Sequence, residues 1–124
     1  MNRPIENSYI SKNRYYELKY FCYQYPEWVK AKTELNFFPG GNFREKVSDP
    51  TGDIAVKLAE LNRKIRLVED CLNEVGPEIY IWLKECVVCG KSYNVLVSSG
   101  VPCGKEYFYK RYRAFFSRLN HVVE

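Results

Sequence analysis

The sequence predicts an all-α fold: a helical platform with one long central helix, followed by a C-terminal helix-turn-helix. Three observations carry this. A stripe of apolar residues at helical spacing lies between Pro50 and Pro77, a second stripe lies near the C-terminus, and no useful length of strand-like alternation occurs.

The central stripe is the clearest. Ile54, Leu58, Leu61, Ile65, Val68, Leu72 and Val75 recur at alternating steps of four and three. Such spacing packs either on the chain's own core or as a coiled-coil seam against a second chain. Asp49 reads as the N-cap with Pro50 at the first helical position, and Gly76-Pro77 ends the helix.

Before it, residues 4–12 read as a lead-in. From Asn13 onward Tyr15, Leu18, Cys22 and Tyr25 share a helical face, with Phe21 at its edge. Pro26 interrupts that run and stands at the first position of a second helix, Glu27 to about Asn36, which buries Trp28, Ala31 and Leu35. "FFPGGNF" (Phe37–Phe43) is loop chemistry and the loop runs on to Ser48.

After Pro77 a fourth helix turns Ile79, Trp82, Leu83 and Cys86 inward, and Gly90 stops it. Ser92 caps a short helix, Tyr93 to Ser99, with Val95 and Leu96 facing the core. Gly100 makes the turn, Val101 anchors it and Pro102 keeps the short helix from continuing. The last helix begins at Cys103 or Gly104, with Glu106 placed to complete a capping box from Cys103. Phe108, Tyr112, Phe115, Phe116 and Leu119 gather on its core face. Glu106, Tyr107, Lys110, Arg113, Ala114 and Ser117 point the other way, flanked by Arg111 and Arg118. The chain reads as one domain, 1–124, with the platform and a candidate homodimer interface over 13–76 and the helix-turn-helix over 77–124.

Several function classes drop out. No apolar run approaches the ~20 residues that cross a bilayer, and "MNRPIENSYISKNRYY" lacks the apolar core of a signal peptide. A cytoplasmic protein with no membrane partner is expected. No Gly-rich phosphate loop, paired catalytic carboxylates or nucleophile–base set is present, so the expectation is no enzyme and no cofactor.

Charge points to an anionic partner. The net charge is +4, and the tail from Val101 carries Lys105, Lys110, Arg111, Arg113 and Arg118 against Glu106 and Glu124. A basic helix face following a helix–Gly–Val–Pro turn has the arrangement needed to enter the major groove of double-stranded DNA. The candidate DNA-binding residues are Lys105, Glu106, Tyr107, Lys110, Arg111, Arg113 and Arg118.

Two other features compete for attention. Cys86-x-x-Cys89 is half of a zinc site, and Cys103 and His121 are the only downstream candidates, without paired spacing. Cys86 also belongs to the apolar stripe of its helix, so a helix end, without metal, is the expectation. Tyr16, Tyr20 and Tyr23 form an aromatic stripe that suits stacking on unpaired bases but more often packs against a neighbouring helix or a second subunit.

"RYYELKYFCYQYPEW" (Arg14–Trp28), "SDPT" (Ser48–Thr51) and "GVPCGKEYFYKRYRAFF" (Gly100–Phe116) together resemble a family of short prophage-borne proteins of Gram-positive bacteria, related to the RinA and ArpU phage transcriptional regulators. The resemblance spans nearly the whole chain and implies a small helical regulator. Its C-terminal helix-turn-helix would resemble the sigma-factor region that reads promoter DNA. Two alternatives stay open: a phage-related adaptor, assembly or packaging component that does not bind DNA, and a sigma-like protein touching RNA polymerase as well as DNA.

Overall fold

The computed structural model describes residues 10–37 and 50–123, and every regular element among them is helical. The lead-in before Ile10, the Asp49 cap and the Phe38–Ser48 part of the loop lie outside the described residues.

Ser11 starts helix α1 (Lys12–Tyr23), its hydroxyl accepting the Arg14 backbone N–H at 3.1 Å. A single turn residue, Gln24, separates α1 from α2 (Tyr25–Phe37). Pro26 therefore sits one position deeper than the sequence suggests. It is tolerated there because the first N–H groups of a helix have no intrahelical partner. Helix α3 (Pro50–Val75) is 26 residues long, about 39 Å. A 3₁₀ turn (Pro77–Ile79) leads into α4 (Tyr80–Cys89), which ends where Gly90 takes φ +76°. Ser92 then caps the one-turn helix α5 (Tyr93–Leu96), extended by a 3₁₀ turn, Val97–Ser99. Gly100, at φ +91°, opens the connection to α6 (Lys105–Val122). Gly104 occupies the N-cap of α6, so the capping box expected between Cys103 and Glu106 does not form.

One hydrophobic core runs from Leu18 and Cys22 of α1 through α3 and α4 to Phe108, Phe115 and Leu119 of α6. The proposed platform and helix-turn-helix thus share their interior. The α3 stripe divides along its length. Ile65, Val68, Leu72 and Val75 are buried, together with Cys71, whereas Ile54, Leu58 and Leu61 are half-buried. The half-buried end lies beside α2, where Ala31, Leu35 and Leu61 help to line an open groove of about 470 Å³.

Helix α6 is held on several sides. Tyr15 of α1 packs edge-on against Phe116, and its hydroxyl meets that of Tyr112 at 2.6 Å. Arg14 reaches the far end of the chain, donating to Asn120 Oδ1 at 2.7 Å and to the Val123 carbonyl at 2.6 Å. Arg118 pairs with Glu74 of α3 at 2.5 Å. Consequently Ala114, Phe115, Phe116 and Ser117 are buried in succession. This corrects the sequence reading, which put Ala114 and Ser117 on the solvent side. Their burial means that α6 has neighbours on that side as well as on its aromatic one.

Candidate nucleic-acid interface

The turn between α5 and α6 is built from backbone chemistry and two tyrosines. Gly100 adopts the left-handed conformation that a side chain with a Cβ resists. Tyr93 then ties the connection together: its hydroxyl donates to the Cys103 carbonyl at 2.7 Å, and its backbone N–H donates to the Tyr109 hydroxyl at 3.0 Å. Leu96 and Phe108 are buried, and Val101 packs at the core's edge. Val95, expected to face inward, is 57% exposed. A helix of a single turn has one inward position here, and Leu96 takes it. The result is a helix–turn–helix arrangement resting on α4.

The seven candidate DNA-binding residues differ in exposure and in the contacts they make. Lys105, Glu106, Lys110 and Arg113 are exposed along the first half of α6. Tyr107, Arg111 and Arg118 make contacts within the chain. The Tyr107 hydroxyl donates to the Glu78 carboxylate, and the Arg111 guanidinium lies 5.5 Å from the Tyr107 ring centroid. Arg111 Nη1 also donates to the Val75 carbonyl at 3.0 Å. With the Arg118–Glu74 pair, these contacts join α6 to the α3–α4 junction. The Tyr107 bond holds the Glu78 carboxyl below its ordinary range and lifts the Tyr107 phenol above its own.

The exposed surface of the first half of α6 carries three cations and one carboxylate on residues 105–113 and is interrupted where Ala114 to Ser117 are buried. Lys105 lies in the first turn of the helix, where backbone N–H groups add to the attraction for anions, and Lys110 and Arg113 follow along the first half. Such a surface can hold phosphate oxygens and reach base edges. Sequence reasoning found these side chains but missed the acceptors of Tyr107, Arg111 and Arg118, which are Glu78, the Val75 carbonyl and Glu74, distant in sequence. It also missed Tyr93 and Tyr109 as the pair that ties the turn.

The cysteine motif sits at a helix end. The N–H of Gly90 donates to the Cys86 carbonyl at 3.0 Å, as the C-terminal cap of α4. Cys86 is buried, and burial pushes its thiol up to about 11, while Cys89 is exposed. Cys103 is half-buried and His121 is exposed in the last turn of α6. Among the described residues, no three His, Cys, Asp or Glu side chains come together to hold a metal ion.

Of the two packings the sequence suggested for the tyrosine stripe, against a neighbouring helix or a second subunit, Tyr16 and Tyr20 do not show the first. Tyr16 is 39% and Tyr20 60% exposed, because the opposite face of α1, Leu18 and Cys22, does the packing. Tyr23 is half-buried, its hydroxyl beside Gly90.

None of the described helices is long and apolar enough to cross a membrane. The chain matches no known family, no curated protein and no solved structure.

Proposed function

We propose that this chain binds double-stranded DNA through the first half of α6 and acts as a transcriptional regulator of the prophage type that its motifs resemble. One observation carries the reading: Lys105, Lys110 and Arg113 lie exposed on a helix whose other face is buried, entered through the left-handed turn at Gly100.

In this mechanism α6 enters the major groove, which is about 12 Å wide and admits a helix. Lys105, in the first turn, meets a phosphate oxygen. Lys110 and Arg113, three residues apart and so neighbours on one face, reach the groove edge, where Arg has the bidentate geometry that reads guanine. Glu106 is an acceptor for a cytosine amino group. Tyr107, Arg111 and Arg118 set the angle of the helix through Glu78, Val75 and Glu74. Charge steers the encounter and makes the affinity fall with salt. As a regulator, the protein would act in the cytoplasm, with RNA polymerase and a second copy of itself as further partners.

Fluorescence anisotropy with mixed-sequence duplex across a salt series tests the reading. Wild type binds with a steep salt slope. Lys110→Ala with Arg113→Ala weakens binding and flattens the slope by about one unit per lost phosphate contact. Equal affinity and slope in the variant would remove α6 from the interface. No binding at low salt would favour the adaptor reading instead, with the open α2–α3 groove as its contact surface.

A further inference from the structure

At 100° per residue, Lys12, Tyr16, Lys19, Tyr20 and Tyr23 fall on one face of α1. The stripe spans about 17 Å and contains no acidic residue. The one acidic residue of α1, Glu17, lies off its edge and is paired with Arg14 at 3.1 Å. Lys12, Tyr16 and Tyr20 are exposed, with Lys19 and Tyr23 half-buried beside them. The Tyr16 and Tyr20 rings are one helical turn apart and near parallel, 26° between planes with centroids 6.4 Å apart. Tyr20 meets Tyr23 edge-on at 5.7 Å, and the Lys19 ammonium lies 5.7 Å from the Tyr16 ring centroid.

We propose that this face of α1 is a platform for single-stranded DNA. Aromatic faces stack on any base, and cations between them meet the phosphates, which is the recurrent chemistry of unpaired-strand binding. The α1 face interleaves the two. A duplex, whose bases are already stacked, cannot use the rings in this way. A second copy of the chain fits less well, since the stripe carries two cations and no carboxylate to pair them across a self-contact. The platform is separate from the exposed half of α6 and binds unpaired bases whether or not α6 enters a duplex. The choice of DNA over RNA rests on the duplex reading of α6.

The test is titration of the full chain with an oligothymidylate of about twelve nucleotides, followed by tyrosine fluorescence and anisotropy at low and moderate salt. Oligouridylate of the same length and duplex DNA run in parallel. Binding to oligothymidylate with tyrosine quenching is expected. Tyr16→Ala with Tyr20→Ala weakens it by about tenfold or more, while the corresponding Phe pair, which keeps both rings, retains it. Lys110→Ala with Arg113→Ala affects only the duplex arm, so the two surfaces fail independently. The proposal is overturned if oligothymidylate does not bind at low salt, or if the Ala pair binds it as wild type does. Tighter binding of oligouridylate overturns the choice of DNA. Sedimentation of the wild type as a dimer that the Ala pair dissociates would reassign the stripe to self-association.

Discussion

Arg111 donates from Nη1 to the backbone carbonyl of Val75 at 3.0 Å, joining α6 to the last turn of α3. The last four carbonyls of a helix lack an intrahelical donor, and a cation is favourable at that end. Arg118 makes a second link at Glu74, two turns further along α6. These two arginines hold the helix, whereas Lys105, Lys110 and Arg113 are exposed to solvent.

Arg111→Ala is therefore expected to lower stability by about 1.5–3 kcal/mol, the range for a hydrogen bond to a charged group. Its salt slope on duplex DNA should match that of wild type. Arg118→Ala should cost less, about 1 kcal/mol or below, because its pair with Glu74 is partly solvated on both sides. Urea denaturation beside the anisotropy series separates the two effects. Unchanged stability with a slope lowered by one unit in Arg111→Ala would place that guanidinium on a phosphate.

The sequence made most of this architecture legible and misplaced it in specific ways. The α3 stripe and the Gly100 turn were readable because each depends on local chemistry, an apolar period and a backbone angle. Ala114 and Ser117 were misread for a physical reason. Periodicity reports which side of a helix is apolar, but a helix held on several sides also buries small residues on its less apolar face. Val95 was misread because a one-turn helix has too few residues for a period to decide. The roles of Arg14, Arg111 and Arg118 depend on acceptors that folding brings from far along the chain, and charge counting cannot separate a clamp from a contact surface. The tyrosine stripe was visible; its exposure was not.

The two left-handed glycines should respond unequally to alanine. Gly90 and Gly100 both have positive φ, so each substitution carries a backbone cost of about 1–2 kcal/mol. A Cβ at Gly90 would also meet the Tyr23 hydroxyl at 3.1 Å, whereas one at Gly100 meets nothing within 4 Å. Gly90→Ala should therefore have the lower urea midpoint of the two. The reverse order would mean that Tyr23 moves aside freely.

The thiols should divide by burial. In the native chain, a thiol-specific reagent near neutral pH should modify Cys89 rapidly and Cys103 more slowly, with Cys22, Cys71 and Cys86 reacting only on unfolding. Rapid native modification of Cys86 would contradict its place in the core.

Those buried thiols also set an alkaline limit to stability. Burial lifts Cys86 from an ordinary 9.0 to about 11 and Cys71 to about 12, with the Glu74 charge adding to the latter, and raises Cys22 further in the same direction. Well below pH 9 both states keep these protons and stability does not respond to them. Above it the unfolded chain releases them first and so binds fewer protons than the native one, which makes stability fall as pH rises. Urea midpoints should hold steady to about pH 8.5 and decline between 9 and 11. Cys86→Ala should have a shallower decline; an identical one would assign the alkaline loss to other groups.

The strongest check on the seating of α6 is enlargement of Ala114, which is 2% exposed and lies between Arg111 and Arg118 on the helix. Both flanking arginines are bonded to α3, so little room remains for added methylenes. Ala114→Leu should lower stability by about 1–3 kcal/mol, whereas Glu106→Leu, on the exposed first half, should change it by about 0.5 kcal/mol or less. Matched urea curves compare the two directly. If Ala114→Leu were as stable as wild type, α3 and α6 would have to lie further apart than the Arg111–Val75 bond allows. The solvent-facing surface of α6 would then extend past Arg113 to Ser117.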